Sequence, residues 1–360
     1  MIPVTKPGLP NLAKVQKYLD GIYERRWFTN KGPLVQLLTE RLEEYLGIEN
    51  LLLVANGTLA LQVAYRALGV NGAAITTPFT FVATASSLSW EGINPIFSDI
   101  ESESFNLCPT KISEKITENT RAIVPVHVYG APCRVEQFDR IAEQENLKLI
   151  YDASHAFGVD YKENSILSYG DASTLSFHAT KIFHTVEGGG IVFKDKEILR
   201  RAQSLINFGF SSEGEITEVG INAKMSEIHA AFGLSLLDDI HHIIERRVEI
   251  QELYQTQLDG FVQFQQRAQE SNLNGSYLPI VLASKEQRQT VELSLNSINV
   301  KARRYFSPSL NTARPFCETG KIDLPKSEDV SSRVLCLPLY FELGDQDVIK
   351  VCEKLKRAIG

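Results

Sequence analysis

The sequence predicts an α/β protein: a mostly parallel central sheet covered by helices in a large domain, followed by a smaller C-terminal α+β domain. Three observations carry this. Apolar strand-like runs alternate with helical segments from residue 50 to residue 194. Several of those runs are apolar enough to be strands buried within a sheet. A polar stretch, "QQRAQESNLNGS" (265–276), then separates this series from a second, shorter one.

Residues 12–28 have a helical pattern that stops at "RRWFTNKGP", where Asn30, Gly32 and Pro33 break it. "LVQLLTERLEEYL" (34–46) places apolar residues at helical spacing and ends at Gly47. "NLLLVA" reads as a buried strand and "GTLALQVAYRAL" as a helix. "AAITTP" is a short strand, "TFVATASSLSWEG" a helix and "NPIFSDI" a strand. "RAIVPVHVY" and "LKLIYDA" are strands flanking the helix "RVEQFDRIAEQEN", and "ASTLSF" and "GGIVFK" close the series. Residues 224–258 carry a helical signal long enough for two helices or one connecting helix. The stretch 265–276 resembles a surface loop. Beyond it "YLPIVL", the amphipathic "SKEQRQTVELSLNSIN", "RVLCLPLYFEL" and "DVIKVCEKLKRAI" make the smaller unit. The expected domains are 1–245 and 246–360, with the N-terminal segment available to pack on the small domain.

Composition excludes several classes. A net charge of −7 and a pI near 5.6 argue against a binder of nucleic-acid backbone, which needs a basic face, while local basic pockets leave small anions open. Cys108, Cys133, Cys317, Cys336 and Cys352 are odd in number and show no C-x-x-C pair, which suits reduced thiols better than disulfides or a metal site. No apolar run approaches the ~18 residues of a membrane span. "MIPVTKPGLP" has prolines where a signal peptide needs an apolar run. The expectation is a soluble, cytoplasmic protein without a membrane or nucleic-acid partner.

In open α/β sheets, ligands bind beyond the carboxyl ends of the strands, and four features fall there. In "VANGTLAL", Asn56, Gly57 and Thr58 lie between a strand and a helix, either as an ordinary N-cap or as a seat for a phosphate. Asp152 ends "LKLIYD" with His155 three residues on, either as a helix cap or as a carboxylate facing a ring nitrogen. In "SFHATKIFHTVEGGG", Ser176 ends a strand and Lys181 follows, either solvated or able to lose its proton and attack a carbonyl carbon. "GINAKMSEIHAAFG" sets Asn222 and Lys224 before a helix. Together with the aromatic helix start at Phe79 and Phe81, the order has chemical meaning: phosphate cradle, ring stack, ring-nitrogen partner and Schiff-base lysine make a pyridoxal phosphate site.

On "RRWFTNKGPLVQ", "ANGTLAL", "TTPFTFVAT", "VPVHVYGAP", "YDASHAFG", "SFHATKIFHTVEGGG" and "GINAKMSEIHAAFGL", the chain resembles the DegT family of nucleotide-sugar aminotransferases, within the aspartate aminotransferase-like (fold type I) pyridoxal-phosphate superfamily. The resemblance implies that Lys181 binds the cofactor covalently and that Asp152 pairs with its ring nitrogen. It implies His155 beside the 3-oxygen, Phe81 stacked on the ring, and Gly57, Thr58 and Ser176 at the phosphate. Asn222 matches an asparagine lent to the phosphate by a neighbouring subunit, which implies a homodimer with shared active sites. Lys224 departs from the family's frequent arginine, and a point charge holds a carboxylate less rigidly than a guanidinium fork. Trp27, Tyr129 and Tyr305 fall in segments that border the sugar site in relatives.

The implied reaction is transamination with L-glutamate as donor, the cofactor passing between pyridoxal and pyridoxamine 5'-phosphate. The segments "PVTKPGLPNL", "RRWFTNKGPL" and "VANGTLAL" most resemble enzymes acting on dTDP-4-keto-6-deoxy-D-glucose, whose amino products feed O-antigen, lipopolysaccharide and other surface-glycan synthesis. A UDP-linked or 3-keto deoxysugar is the alternative substrate. A non-catalytic regulatory protein of the same fold would be expected to lose the cofactor residues, and a sugar dehydratase of this kind carries histidine where Lys181 stands. A nucleotide-binding oxidoreductase is disfavoured because no G-x-G-x-x-G follows a strand.

Overall fold

The structure, a computed structural model, describes residues 1–317 and 322–360. Asn11 accepts from the amides of Ala13 and Lys14 and starts α1 (Leu12–Arg25). Pro33, preset for a first helical turn, opens α2 (Pro33–Leu46), and Gly47 at φ 61° closes it. The series continues with β1 (Leu51–Val54), α3 (Gly57–Ala67), β2 (Ala73–Thr76), α4 (Val82–Trp90), β3 (Asn94–Phe97), the single turn α5 (Pro109–Ile112), β4 (Thr120–Val124), α6 (Val135–Gln144) and β5 (Lys148–Asp152). A small hairpin, β6 (Asp160–Tyr161) and β7 (Asn164–Ser165), precedes β8 (Ala172–Ser176), β9 (Gly189–Phe193) and α7 (Lys196–Leu205). Next come α8 (Glu227–Leu237), α9 (Ile240–Leu258), β10 (Gln263–Phe264) and β11 (Pro279–Val281). The described chain ends with α10 (Lys285–Asn296), α11 (Pro325–Arg333), β12 (Val334–Cys336) and α12 (Asp345–Ile359).

Seven strands form one sheet in the order β1-β9-β8-β5-β4-β2-β3. Strand β9 runs antiparallel to β1 and β8, and the other pairs are parallel. The sheet is therefore mostly parallel. One face packs on α2, α6 and α8 through Leu38, Leu42, Phe138, Phe177 and Leu234. The other packs on α3 and α7 through Leu61, Tyr65, Ile191, Phe193 and Leu205. A second core, including Tyr254, Ile280, Val291, Leu335 and Val351, lies among α9, α10, α12 and the three-stranded sheet β10-β11-β12. Ile2 bridges Val300, and Val4 O accepts from Leu339 N, so the first residues lie against this smaller unit.

Because β9 is antiparallel, its first residue meets the carboxyl ends of its neighbours: Gly189 pairs with both Val54 and Ser176. A Cβ at Gly189 would stand 2.6 Å from the Asn56 carbonyl carbon. Glycine there lets the β1–α3 turn fold over the strand.

Several local expectations are corrected. The strand expected over 121–129 stops at Val124, since Pro125 has no amide to donate and Tyr129 takes φ 55°. The helical signal over 224–258 resolves into α8 and α9, with Asp239 outside helical geometry. Helix α7 is not anticipated at all. The stretch 265–276 is not surface loop throughout, because Asn274 is fully buried at its end. All five cysteines are free. Among the described residues no helix is long and apolar enough to cross a membrane, and no cluster of acidic, histidine or cysteine side chains is placed to hold a metal.

Glu227 shows how charge shapes the fold. Its buried carboxylate accepts from Leu34 N and Val35 N, both at 2.9 Å, at the positive end of α2. Glu227→Ala would leave two buried amides unpaired, and is expected to cost about 2–4 kcal/mol. Denaturant unfolding checks this, and a loss below about 0.5 kcal/mol would show that the cap is dispensable.

Candidate active site

A cavity of about 790 Å³ opens at the carboxyl ends of β1, β5 and β8. Its floor begins at α3. Asn56 caps that helix, its side chain accepting from Leu59 N at 2.9 Å. The next two amides, of Gly57 and Thr58, line the cavity and have no protein acceptor among the described residues, nor has the Ser176 hydroxyl. A Cβ on Gly57 would lie 2.8 Å from Ser176 Cβ. The turn thus brings free donors and the positive end of a helix together, which suits an anion such as a phosphate. Of the two readings of "VANGTLAL", the N-cap is observed at Asn56, and the free amides that follow leave room for the phosphate seat.

Asp152 ends β5, is only 5% exposed and makes no ion pair among the described residues. Thr84 Oγ1 donates to Oδ2 at 2.8 Å, and Ser154 N donates to Oδ1 at 3.1 Å. Thr84 is in turn 2.9 Å from the Thr80 hydroxyl. Sequence reasoning missed Thr84, since Thr80 stands ahead of α4 and no helical spacing links the two hydroxyls. Thr84→Val keeps the volume and removes the donor, and should lower kcat about tenfold by loosening Asp152. Unchanged turnover would leave the orientation of Asp152 to Ser154 alone.

His155 Nδ1 accepts from Tyr129 N at 3.2 Å, so the ring proton sits on Nε2. Burial, then the neighbouring Lys181 and His127, hold its pKa well below the usual histidine value. It is a neutral donor at the cavity wall. Phe81, ahead of α4, presents a ring 57% exposed to the same space.

The segment after β8 is a closed turn. Phe177 N donates to Gly188 O, Thr185 N to Phe177 O and Ala179 N to Val186 O, while Phe177 and Phe183 are sunk in the core. This framework fixes the backbone under Lys181. The amine has one protein hydrogen-bond partner among the described residues, the Tyr277 hydroxyl at 3.4 Å. Burial pushes its pKa down to about 8 from the usual 10.5, against the opposing pull of the Asp152 charge. About a tenth of the amines are then neutral at pH 7. Acylation of Lys181 in the cofactor-free chain should rise about tenfold per pH unit and level off just above pH 8. A plateau only beyond pH 10 would contradict this environment.

The cavity therefore brings together Gly57, Thr58, Phe81, Asp152, His155, Ser176, Lys181 and Tyr305, with Arg303 at its edge. Four expected residues lie elsewhere. Trp27 is half exposed and donates to Thr29 O. Tyr129 is fully buried, stacked on Phe306 at 5.6 Å with its hydroxyl bonded to Tyr305 O, so it packs rather than lines the site. Asn222 pairs through its backbone with Asn207. Lys224 donates to Asn207 Oδ1 at 2.9 Å and lines a separate cavity of about 230 Å³ with Lys31.

The donor set fits pyridoxal 5'-phosphate. Two unpaired amides and the Ser176 hydroxyl face one region of the cavity. A buried carboxylate with no cation partner among the described residues, an uncovered aromatic ring and a desolvated amine complete it.

Comparison with known proteins agrees with this geometry. A model of the DegT/DnrJ/EryC1/StrS aminotransferase family matches residues 12–356. A dTDP-4-amino-4,6-dideoxy-D-glucose transaminase from Shigella dysenteriae is 43% identical over 95% of this chain and 94% of its own length. One of the same name from Escherichia coli is 40% identical over 98% of both chains. The solved structure of DesI in the presence of its TDP-sugar product superposes with a TM-score of 0.95 at 33% identity, covering 99% of this chain and 93% of that one. The chain belongs to the DegT/DnrJ/EryC1/StrS family and is a pyridoxal-phosphate-dependent aminotransferase of fold type I.

Proposed function

We propose that the protein transfers the amino group of L-glutamate to C4 of dTDP-4-keto-6-deoxy-D-glucose, giving dTDP-4-amino-4,6-dideoxy-D-glucose. The observation that carries the reading is the desolvated Lys181 amine in one cavity with the Asp152 carboxylate and the α3 amides. The names of the two relatives above 40% and at 40% identity supply the substrate.

In this reading Gly57 N, Thr58 N and Ser176 Oγ would hold the phosphate, Phe81 would cover the ring, and His155 Nε2–H would donate to its 3-oxygen. Asp152, fixed by Thr84 and Ser154, would hold a proton on the ring nitrogen. When bound, the cofactor supplies an electron sink for the bond broken at the donor's α-carbon. Lys181 would anchor it, and its neutral Nζ would take the α-proton as general base. The depressed pKa suits both tasks.

The partner reading is a homodimer. Asn222 and Lys224 lie outside the chain's own cavity, and the segment before them exposes Phe208, Phe210, Ile216, Val219 and Ile221. An apolar surface of this kind suits a second copy, from which Asn222 would reach the neighbouring phosphate. Residues 1–245 and 246–360 serve as the large and small domains, with the site at their junction.

Turnover with glutamate across 3-keto and 4-keto dTDP and UDP deoxysugars tests the substrate. The highest kcat/KM is expected for the dTDP-4-keto sugar, and a better UDP-linked or 3-keto substrate would displace it.

A further inference from the structure

Residues 274–277 form a strut that ends on the catalytic amine. Asn274 is fully buried, and its side-chain amide donates to His155 O at 2.9 Å and Phe157 O at 3.0 Å. Ser276 Oγ donates to the same His155 carbonyl at 2.7 Å. From the other side, Arg247 of α9 is 4% exposed and makes no ion pair among the described residues. Its guanidinium instead donates to Gly275 O at 2.9 Å and Ser276 O at 3.1 Å. Gly275 takes φ 63°, and a Cβ there would meet Arg247 Cβ at 2.6 Å, so the backbone can lie against α9 only without a side chain. A buried guanidinium given over to two carbonyls of one turn is a costly device unless that turn must be held.

The residue delivered by the turn is Tyr277. Its ring packs edge-on to His155 at 4.9 Å and to Tyr305 at 5.7 Å, and its hydroxyl is 3.4 Å from Lys181 Nζ. That contact is long, as hydrogen bonds in cofactor-free sites often are before they tighten. We propose that Tyr277 is a positioning residue for Lys181: its hydroxyl accepts from the amine and fixes the direction of Nζ, and Arg247 sets the hydroxyl's place through Gly275 and Ser276. The inference rests on Lys181 being the cofactor lysine.

The other titratable groups facing this amine's cavity are Asp152 and His155 from the β5 end, His178 and Glu187 from its own loop, and Arg303 and Tyr305 from the smaller unit. None of them is hydrogen-bonded to Nζ. A hydroxyl that accepts from the ammonium favours the charged form. Its removal therefore lowers the pKa further.

The test is Tyr277→Phe in the full-length chain, which keeps the ring packing. In cofactor-free protein, the pH midpoint of Lys181 acylation, followed by mass spectrometry, should fall by about half to one unit. In loaded protein kcat should drop about tenfold with KM for glutamate within about twofold. Arg247→Lys keeps the charge but not the fork, and should shift the midpoint the same way by less; it supplies the reading if the first variant does not fold. A midpoint and kcat equal to wild type in either folded variant overturn the inference and leave the aminotransferase reading intact. A wild-type chain whose Lys181 takes no cofactor removes that reading and the inference with it.

Discussion

Lys181→Ala is expected to lower glutamate-dependent turnover by about four orders of magnitude and to abolish the visible absorbance of lysine-bound cofactor. The size follows from two tasks resting on one amine. In the proposed reading Lys181 would anchor the cofactor, and its neutral Nζ would take the proton from the donor's α-carbon. Among the described residues the amine's one hydrogen-bond partner is the Tyr277 hydroxyl, whose own pKa burial raises, so it stays protonated and is no substitute base. His155 is held neutral by burial, but its Nδ1 is occupied by Tyr129 N, which leaves Nε2 as a donor. Fold stability should not suffer, because removing a desolvated ammonium relieves a burial cost. A loss below about tenfold would show that another group is the base.

Asp152→Asn is expected to lower kcat about a thousandfold while leaving the melting temperature near wild type. Asparagine occupies the same volume and its carbonyl oxygen can accept from Thr84 or from Ser154, each of which bonds one carboxylate oxygen in the native site. What it cannot supply is negative charge. Among the described residues the buried carboxylate meets no cation, and in the proposed reading its partner would be a proton on the ring nitrogen. Cofactor should still bind, since the phosphate donors and Lys181 are untouched. Turnover within about tenfold of wild type would remove Asp152 from that role.

The sheet and most of its helices were legible because apolar runs at strand length and helical spacing alternate through residue 194. Helix α7 escaped although Ile198, Leu199, Ala202 and Leu205 stand at helical spacing and Asp195, which accepts from Glu197 N, is a recognisable N-cap. The strand overrun at 125–129 came from weighing apolarity above proline's missing donor. At the site, residues on one local motif were readable: Gly57 and Thr58 at a helix start, Asp152 at a strand end, Lys181 in its glycine-bounded turn. Tyr129 was named because its segment borders the sugar site in relatives, and nothing in "VPVHVYGAP" tells a ring facing a cavity from one stacked on Phe306. Tyr277 stands 96 residues from Lys181, and Arg247 reaches it only through backbone carbonyls. Contacts made by tertiary closure leave no spacing to read. The polar stretch 265–276 hid the same feature, since buried Asn274 looks like any loop asparagine until its amide is seen bonded to two carbonyls.

The most direct test isolates the first half of the reaction. Cofactor-loaded protein is mixed with L-glutamate in the absence of sugar, and 2-oxoglutarate and the visible absorbance are measured together. The prediction is about one equivalent of 2-oxoglutarate per chain, with loss of the lysine-bound absorbance. Both should reverse when dTDP-4-keto-6-deoxy-D-glucose is added and the amino sugar appears. Absorbance that glutamate leaves unchanged, with no 2-oxoglutarate formed, would contradict the account.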